Sequence, residues 1–197
     1  ADRDALIYVQ ITRGAAPRKH RFPPAETSPT AYAVARAWSP TPDLAGGVAA
    51  ILAPDTRWAR CDIKSIGLLP NVLAHQQAVE AGAAEAIFVR DGVVTEGTRT
   101  NVCSVRGGEV HTHPLDNHVL PGVTRAEVAR LCRALRIPWR ERAVTRAELA
   151  EADEVLLLGT TMEVTPVVRL DDLPVGDGGP GPVAAALLAA LRRRACG

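Results

Sequence analysis

Ala86-Ile87-Phe88-Val89-Arg90-Asp91-Gly92-Val93-Val94-Thr95-Glu96-Gly97-Thr98-Arg99-Thr100-Asn101 is the stretch that decides the fold. Two apolar, β-branched runs, residues 86–89 and 93–95, flank Asp91-Gly92, a pair suited to the positive φ angles of a type I′ turn. The following run, residues 101–105, faces residues 109–112 across Gly107-Gly108, so one hairpin leads into the next.

Outward from this region, strands and helices mix without strict βαβ alternation. Residues 5–12 and 30–38 read as strands around a loop at 13–24, and residues 48–52 and 58–64 look extended. Residues 68–81 suit a helix with Leu69, Val72, Leu73 and Val79 on its buried face. Thr124-Arg125-Ala126-Glu127 reads as a capping box opening a helix with the apolar face Val128, Leu131, Cys132 and Leu135. Thr145-Arg146-Ala147-Glu148 reads as a second, shorter one. Strands at 155–158 and 164–170, a Gly/Pro loop at 176–182 and a helix at 183–194 complete the chain. This is an α+β pattern with a mixed, largely antiparallel sheet. The turn formers of residues 39–47 mark an interdomain linker, which leaves 1–38 too short to fold alone and 48–197 as the large domain.

The chain has 197 residues, 47% of them hydrophobic and 23% charged, as in soluble globular proteins. A formal net charge of +1 argues against nucleic acid or an anionic membrane as partner. Cys61, Cys103, Cys132 and Cys196 lack C-x-x-C spacing and read as reduced thiols of a cytoplasmic protein. No apolar run is long enough to span a bilayer, and the start at Ala1 shows neither an initiating Met nor a signal segment. His75, His111, His113 and His118 have no H-E-x-x-H type spacing, so no metal is expected. There is no internal repeat, no G-x-G-x-x-G and no P-loop.

A few residues carry chemistry. Lys64, in Arg60-Cys61-Asp62-Ile63-Lys64-Ser65, offers an amine able to condense with an aldehyde cofactor, and Glu96 a carboxylate able to keep a pyridine nitrogen protonated. Gly122-Val123-Thr124 has the composition of an anion-binding helix start, though an ordinary capped helix looks the same. Gly159-Thr160-Thr161, after a buried strand, offers hydroxyl and amide donors or simply turn chemistry. Arg18 and His20 share one face of an extended Arg18-Lys19-His20 segment, as a carboxylate clamp or as solvated basic surface.

Together these residues resemble the fold type IV pyridoxal-phosphate enzymes, and most closely the bacterial D-amino-acid aminotransferases. The matching stretches run in family order: Tyr8 to Gly14 with Pro17-Arg18-Lys19-His20, then Arg60 to Ser65, Asn71 to Ala74, and Thr95-Glu96-Gly97 with Asn101. Thr112-His113-Pro114, Gly122-Val123-Thr124-Arg125, and Thr160-Thr161 with Glu163 to Pro166 complete the set.

The resemblance implies transamination of D-amino acids with 2-oxo acids, with pyridoxal 5′-phosphate bound to Lys64 as a Schiff base and Glu96 at the pyridine nitrogen. It implies Val123, Thr124, Thr160 and Thr161 at the phosphate, Leu120 against the cofactor ring, and Arg18 and His20 on the substrate carboxylate across a homodimer interface. It also implies a small domain beginning before residue 1, so that 1–38 is the end of that domain and the chain is truncated. Arg99 departs from the family, which commonly has a serine there. Branched-chain aminotransferases and aminodeoxychorismate lyases are rivals within the fold, and a non-catalytic cofactor-binding or dimerising remnant is the rival outside enzymes.

Overall fold

The computed structural model describes residues 4–39 and 44–195. The chain divides into two compact units that part between residues 39 and 44. Residues 40–43 of the expected linker, and Cys196, lie outside the described residues.

The first unit is a hairpin of β1 (Ala5–Thr12) and β2 (Thr30–Ala37), antiparallel over their whole length. Tyr8 and Tyr32 pack with ring centroids 6.3 Å apart, and the Arg13 guanidinium lies 3.8 Å from the centre of the Phe22 ring in the connecting loop. The apolar side chains of β1 stay in solvent, Ile7 at 67% and Ile11 at 73% exposure.

In the second unit a short 3₁₀ turn (Leu44–Gly46) leads into β3 (Val48–Pro54), α1 (Leu69–Glu80), β4 (Glu85–Arg90), β5 (Val93–Gly97), β6 (Asn101–Arg106) and β7 (Glu109–Thr112). After α2 (Val123–Leu135) come β8 (Trp139–Glu141), β9 (Val144–Thr145), α3 (Arg146–Ala150), β10 (Glu154–Gly159), β11 (Glu163–Leu170), β12 (Leu173–Pro174) and α4 (Pro182–Ala195). Among the described residues the main sheet has ten strands and is mixed: β3 runs parallel to β4 and β11, and β8 parallel to β7, while the other pairs are antiparallel. The additional β5–β6 pairing, Glu96 opposite Asn101, closes β6, β10, β11, β3, β4 and β5 into a barrel-like ring.

Strand alternation explains the layers. On β10, Val155 and Leu157 join one core with Val102, Ile87 and Val167, while Leu156 and Leu158 face a second core under α2 and α4. Both faces are thus buried, which accounts for the unbroken apolar run. Asp91 and Gly92 have φ of 51° and 79°, the conformation expected of the β4–β5 turn.

Three local expectations are corrected. The helix at Leu69–Glu80 forms, but it buries Ala74 and Ala78 rather than Leu69, Val72, Leu73 and Val79. Those alanines meet Ala53, Ala83, Ala86 and Phe88, a close packing that larger side chains would block. Residues 58–64 form turns instead of a strand, because their backbone bonds are local or loop-directed: Ile63 N–H to the Arg60 carbonyl, and Cys61 N–H to the Asn117 carbonyl at 2.8 Å. Thr124 is no cap. Gly122 takes that position, Glu127 turns to Arg130 and Arg194, and Leu135 is half-exposed. The second capping box, Thr145 with Glu148, forms in full.

One buried carboxylate holds α4 in place. Glu154 of β10 accepts from the Val183 N–H at 2.9 Å and the Ala184 N–H at 2.8 Å, so a strand residue supplies the charge that a helix N-terminus attracts. A Cβ on Gly181 would lie 2.1 Å from Glu154 Cδ, so only glycine admits this approach. Glu154→Ala should lower unfolding stability by about 2 kcal/mol, the upper range for a lost cap. Glu154→Gln, which keeps one acceptor oxygen, should lose less. Urea titration of the variants checks this, and equal losses would refute the capping role.

Candidate active site

Glu96 lies in β5 and is 6% exposed. Its Oε1 pairs with Arg57 Nη1, and its Oε2 accepts from Asn101 Nδ2 at 3.0 Å and from the Leu120 N–H at 2.9 Å. Burial pushes its pKa above the ordinary carboxylate value, and Arg57 offsets part of that shift.

Arg57 follows β3 and belongs to a buried ionic network. Its Nε and Nη2 grip Asp55 at 2.9 and 2.8 Å, its Nη2 also donates to the His118 carbonyl at 3.1 Å, and its guanidinium lies 4.5 Å from the Phe88 ring centre. Asp55 also pairs with Arg90 Nη2 at 3.1 Å and accepts from Thr95 Oγ1 at 3.0 Å. Burial raises the Asp55 pKa, but the Arg57 and Arg90 bonds outweigh it and bring the carboxyl to about 2. Two carboxylates and two guanidiniums balance, which is what lets them sit away from water.

Asn101 extends this network. Its amide also donates to the Leu120 carbonyl at 2.9 Å, and its Oδ1 packs so closely on Gly122 that a Cβ there would lie 2.1 Å away. Gly122 is the N-cap of α2 with φ −66° and ψ 139°, and no side chain among the described residues caps this end. The N–H groups of Val123 and Thr124, in the first turn, therefore have no helical acceptor and form an electropositive terminus. Gly159, leading into the turn at Thr160 and Thr161, packs on the same segment, where a Cβ would be 3.4 Å from Thr100 Cγ2 and 3.6 Å from the Arg99 carbonyl. The geometry thus gathers Glu96, Leu120, the Val123–Thr124 terminus and the approach to Thr160 and Thr161 around Thr100 and Asn101.

Lys64 is exposed and makes no hydrogen bond or ion pair among the described residues. Its segment is fastened at both ends to the same neighbourhood. Asn117 joins the backbone on one side through the Ala59 carbonyl at 2.9 Å and the Cys61 N–H, and Asn71 Nδ2 reaches the Thr98 carbonyl at 2.7 Å on the other. Arg99 extends towards Met162, with Nη2 4.0 Å from Sδ. Arg18 and His20 lie exposed in the β1–β2 loop of the first unit.

Sequence reading passed over Asp55, Arg57 and Arg90. The available signal is Asp55-x-Arg57, two opposite charges at i and i+2 directly after an apolar strand, where both side chains can turn to one side. Nothing local announces that Arg57 also meets Glu96.

Arg57→Leu would leave Asp55 and Glu96 buried and uncompensated, so it should cost about 3–5 kcal/mol of stability, measured by chemical denaturation. Asp55 gives a pH signature. A carboxylate whose folded pKa is depressed to about 2 contributes stability above its ordinary value of 3.8 and loses it as pH falls through the folded value. The stability gap between the parent chain and Asp55→Asn should therefore be largest above about pH 4 and shrink towards pH 2. A gap that does not vary with pH would exclude Asp55 as an ionised member of the network.

Comparison with known proteins accords with this arrangement. The family model described as amino-transferase class IV matches residues 1–170. D-alanine aminotransferase of Bacillus licheniformis is 44% identical over 190 residues, covering 96% of this chain and 67% of that protein. D-alanine aminotransferase of Staphylococcus haemolyticus is 46% identical over 178 residues, covering 90% and 63%. The T.th. branched-chain amino acid aminotransferase, solved in complex with N-(5′-phosphopyridoxyl)-L-glutamate, superposes with a TM-score of 0.85 at 30% identity, over 96% of this chain and 63% of that one. The chain thus spans about two thirds of the length of these relatives. It belongs to the class IV aminotransferases and has their fold type IV architecture.

Proposed function

We propose that this chain forms the cofactor-binding part of a cytoplasmic, homodimeric, pyridoxal-phosphate-dependent transaminase that acts on D-amino acids and 2-oxo acids. The observation that carries the proposal is the buried Glu96 carboxylate, held on both oxygens and joined through Asn101 to an uncapped helix N-terminus. A negative charge and an electropositive helix start so connected suit a ring cation and a phosphate in one ligand.

The residues fit that group. When bound, the cofactor supplies an aldehyde carbon for the substrate amine and a ring that accepts electrons. Glu96 would hold its charge at the protonated ring nitrogen, and Leu120 would line the ring. Val123 and Thr124, with Thr160 and Thr161, would hold the phosphate through amides and hydroxyls. Lys64 Nζ, exposed and unengaged among the described residues, serves as the nucleophile and carries the substrate α-proton. Arg18 and His20, contributed across the homodimer interface, bind the substrate carboxylate.

Identity of 43–46% to several proteins named D-alanine aminotransferase supports a D-amino-acid substrate. The second reading, a branched-chain aminotransferase, rests on the solved relatives at about 30% identity. Solvent-exposed Leu69, Val72 and Leu73 on α1 support a subunit contact, because contiguous exposed apolar surface is characteristic of interfaces. The unpaired thiols of Cys61, Cys103 and Cys132 accord with a reducing cytoplasm.

Mixing the purified chain with pyridoxal phosphate should give the visible band of lysine-bound cofactor, and borohydride reduction followed by peptide mapping should find the label on Lys64. D-alanine should bleach the band. Bleaching by L-leucine or aminodeoxychorismate alone would transfer the chain to the corresponding relatives, and absence of the band would favour a non-catalytic remnant. Lys64→Ala should lower turnover by at least about 10²–10⁴-fold, the scale of a lost proton carrier. Glu96→Gln should slow turnover while still binding cofactor.

A further inference from the structure

The loop between β7 and α2 contains a cluster that the proposed transaminase site does not use. His113, Asp116 and His118 each offer one ligand atom, and the three atoms lie within 4.8 Å of one another. His113 Nε2 lies 3.2 Å from Asp116 Oδ2, and His118 Nδ1 lies 3.6 Å from the same oxygen. Zinc bonds to nitrogen and carboxylate oxygen are about 2.0–2.1 Å, which puts the edge of a ligand tetrahedron at roughly 3.3 Å. The two measured separations bracket that edge.

The state of His113 points to a ligand independently. Its side chain is 10% exposed, and neither ring nitrogen has a hydrogen-bond partner among the described residues. A neutral imidazole has one N–H and one lone pair. If Nε2 carries the lone pair, it faces the Asp116 carboxylate without a mediating proton. If it carries the proton, the alignment still fails to make a hydrogen bond despite the 3.2 Å separation. A cation between the two atoms satisfies both lone pairs.

The cluster is held in shape by its surroundings. Arg125 Nη2 donates to the His113 carbonyl at 3.0 Å. The His118 N–H donates to Asp116 Oδ1 at 2.7 Å, which leaves Oδ2 beside the two imidazole nitrogens. Asn117 between them is tied to Ala59 and Cys61. Two imidazoles and one carboxylate make a borderline donor set that suits a transition metal ion better than magnesium or calcium, and three protein ligands leave a fourth position open.

We propose that His113, Asp116 and His118 form a binding site for a divalent transition metal ion of the zinc class. The spacing H-x-x-D-x-H escapes a search for helical His pairs because the ligands come from one short turn. The same turn delivers the His118 carbonyl to Arg57 and the Leu120 N–H to Glu96, so a bound ion fixes the segment that supports the Glu96 network.

The test uses the tag-free full chain with pyridoxal phosphate, stripped with a chelator and titrated with Zn²⁺ by calorimetry. One ion should bind per chain, and Co²⁺ in its place should give the visible bands of a tetrahedral N/O site. Asp116→Ala and His118→Ala, both at partly exposed positions, should each weaken Zn²⁺ binding by more than about tenfold, the lower bound for losing even an outer metal contact. Zn²⁺ should raise the melting temperature of the parent chain and of Cys61→Ser, but not of the two ligand variants. Zn²⁺ affinity unchanged in Asp116→Ala and His118→Ala, or no stoichiometric binding by the parent chain, would overturn the assignment. Binding lost in Cys61→Ser would overturn it in favour of a thiol site.

Discussion

The buried guanidinium of Arg57 is the constraint around which the second unit is organised. It meets Asp55 from its own loop, Glu96 from β5 and the His118 carbonyl from the loop before α2. One planar cation thus joins three segments distant in sequence. A lysine could not replace it, because a single ammonium lacks the fork that grips Asp55 through Nε and Nη2 while Nη1 serves Glu96. Burying the charges is costly, and the fold recovers that cost only with the whole set present.

Closure of the sheet depends on the same place. Glu96 and Asn101 are the residue pair through which β5 meets β6, and the Asn101 amide donates to Glu96 across that seam. The turn between them is held from below by Glu85, which accepts from the Thr98 N–H at 3.1 Å and Thr100 Oγ1 at 3.0 Å. The ring of strands therefore closes on polar bonds rather than on a long ladder. Such a seam is short and specific, and it leaves Leu120 and the start of α2 fixed relative to a carboxylate.

Features set by near neighbours were readable in the sequence. Asp91-Gly92 makes its turn through its own φ preferences, and Thr145 with Glu148 caps α3 across a single turn. Features set by distant partners were not. The leucines of α1 have helical spacing, yet the sheet accepts Ala74 and Ala78 because only small residues allow that approach. Thr124 looked like a cap because Thr and Glu stand at the right interval, but the helix starts two residues earlier, with Gly122 as its cap. Glu96 was legible as a candidate through the family pattern around it, while its partner Arg57 lies 39 positions away with no local signal. The His113 cluster was overlooked for the opposite reason, since its ligands are so close in sequence that they resemble an ordinary polar turn.

Asp55 and Glu96 share one guanidinium but have opposite fates, and the difference follows from how its donors are divided. Asp55 takes two arms of Arg57 together with Arg90 and Thr95, and its pKa falls to about 2 despite its burial. Glu96 takes one arm, an amide side chain and a backbone N–H, and its pKa rises because burial outweighs them. Two carboxylates driven apart in this way acquire different tasks. Asp55 remains an ionised anchor that holds Arg57 in position. Glu96, with fewer charged donors to offset its burial, is left with the higher proton affinity of the two.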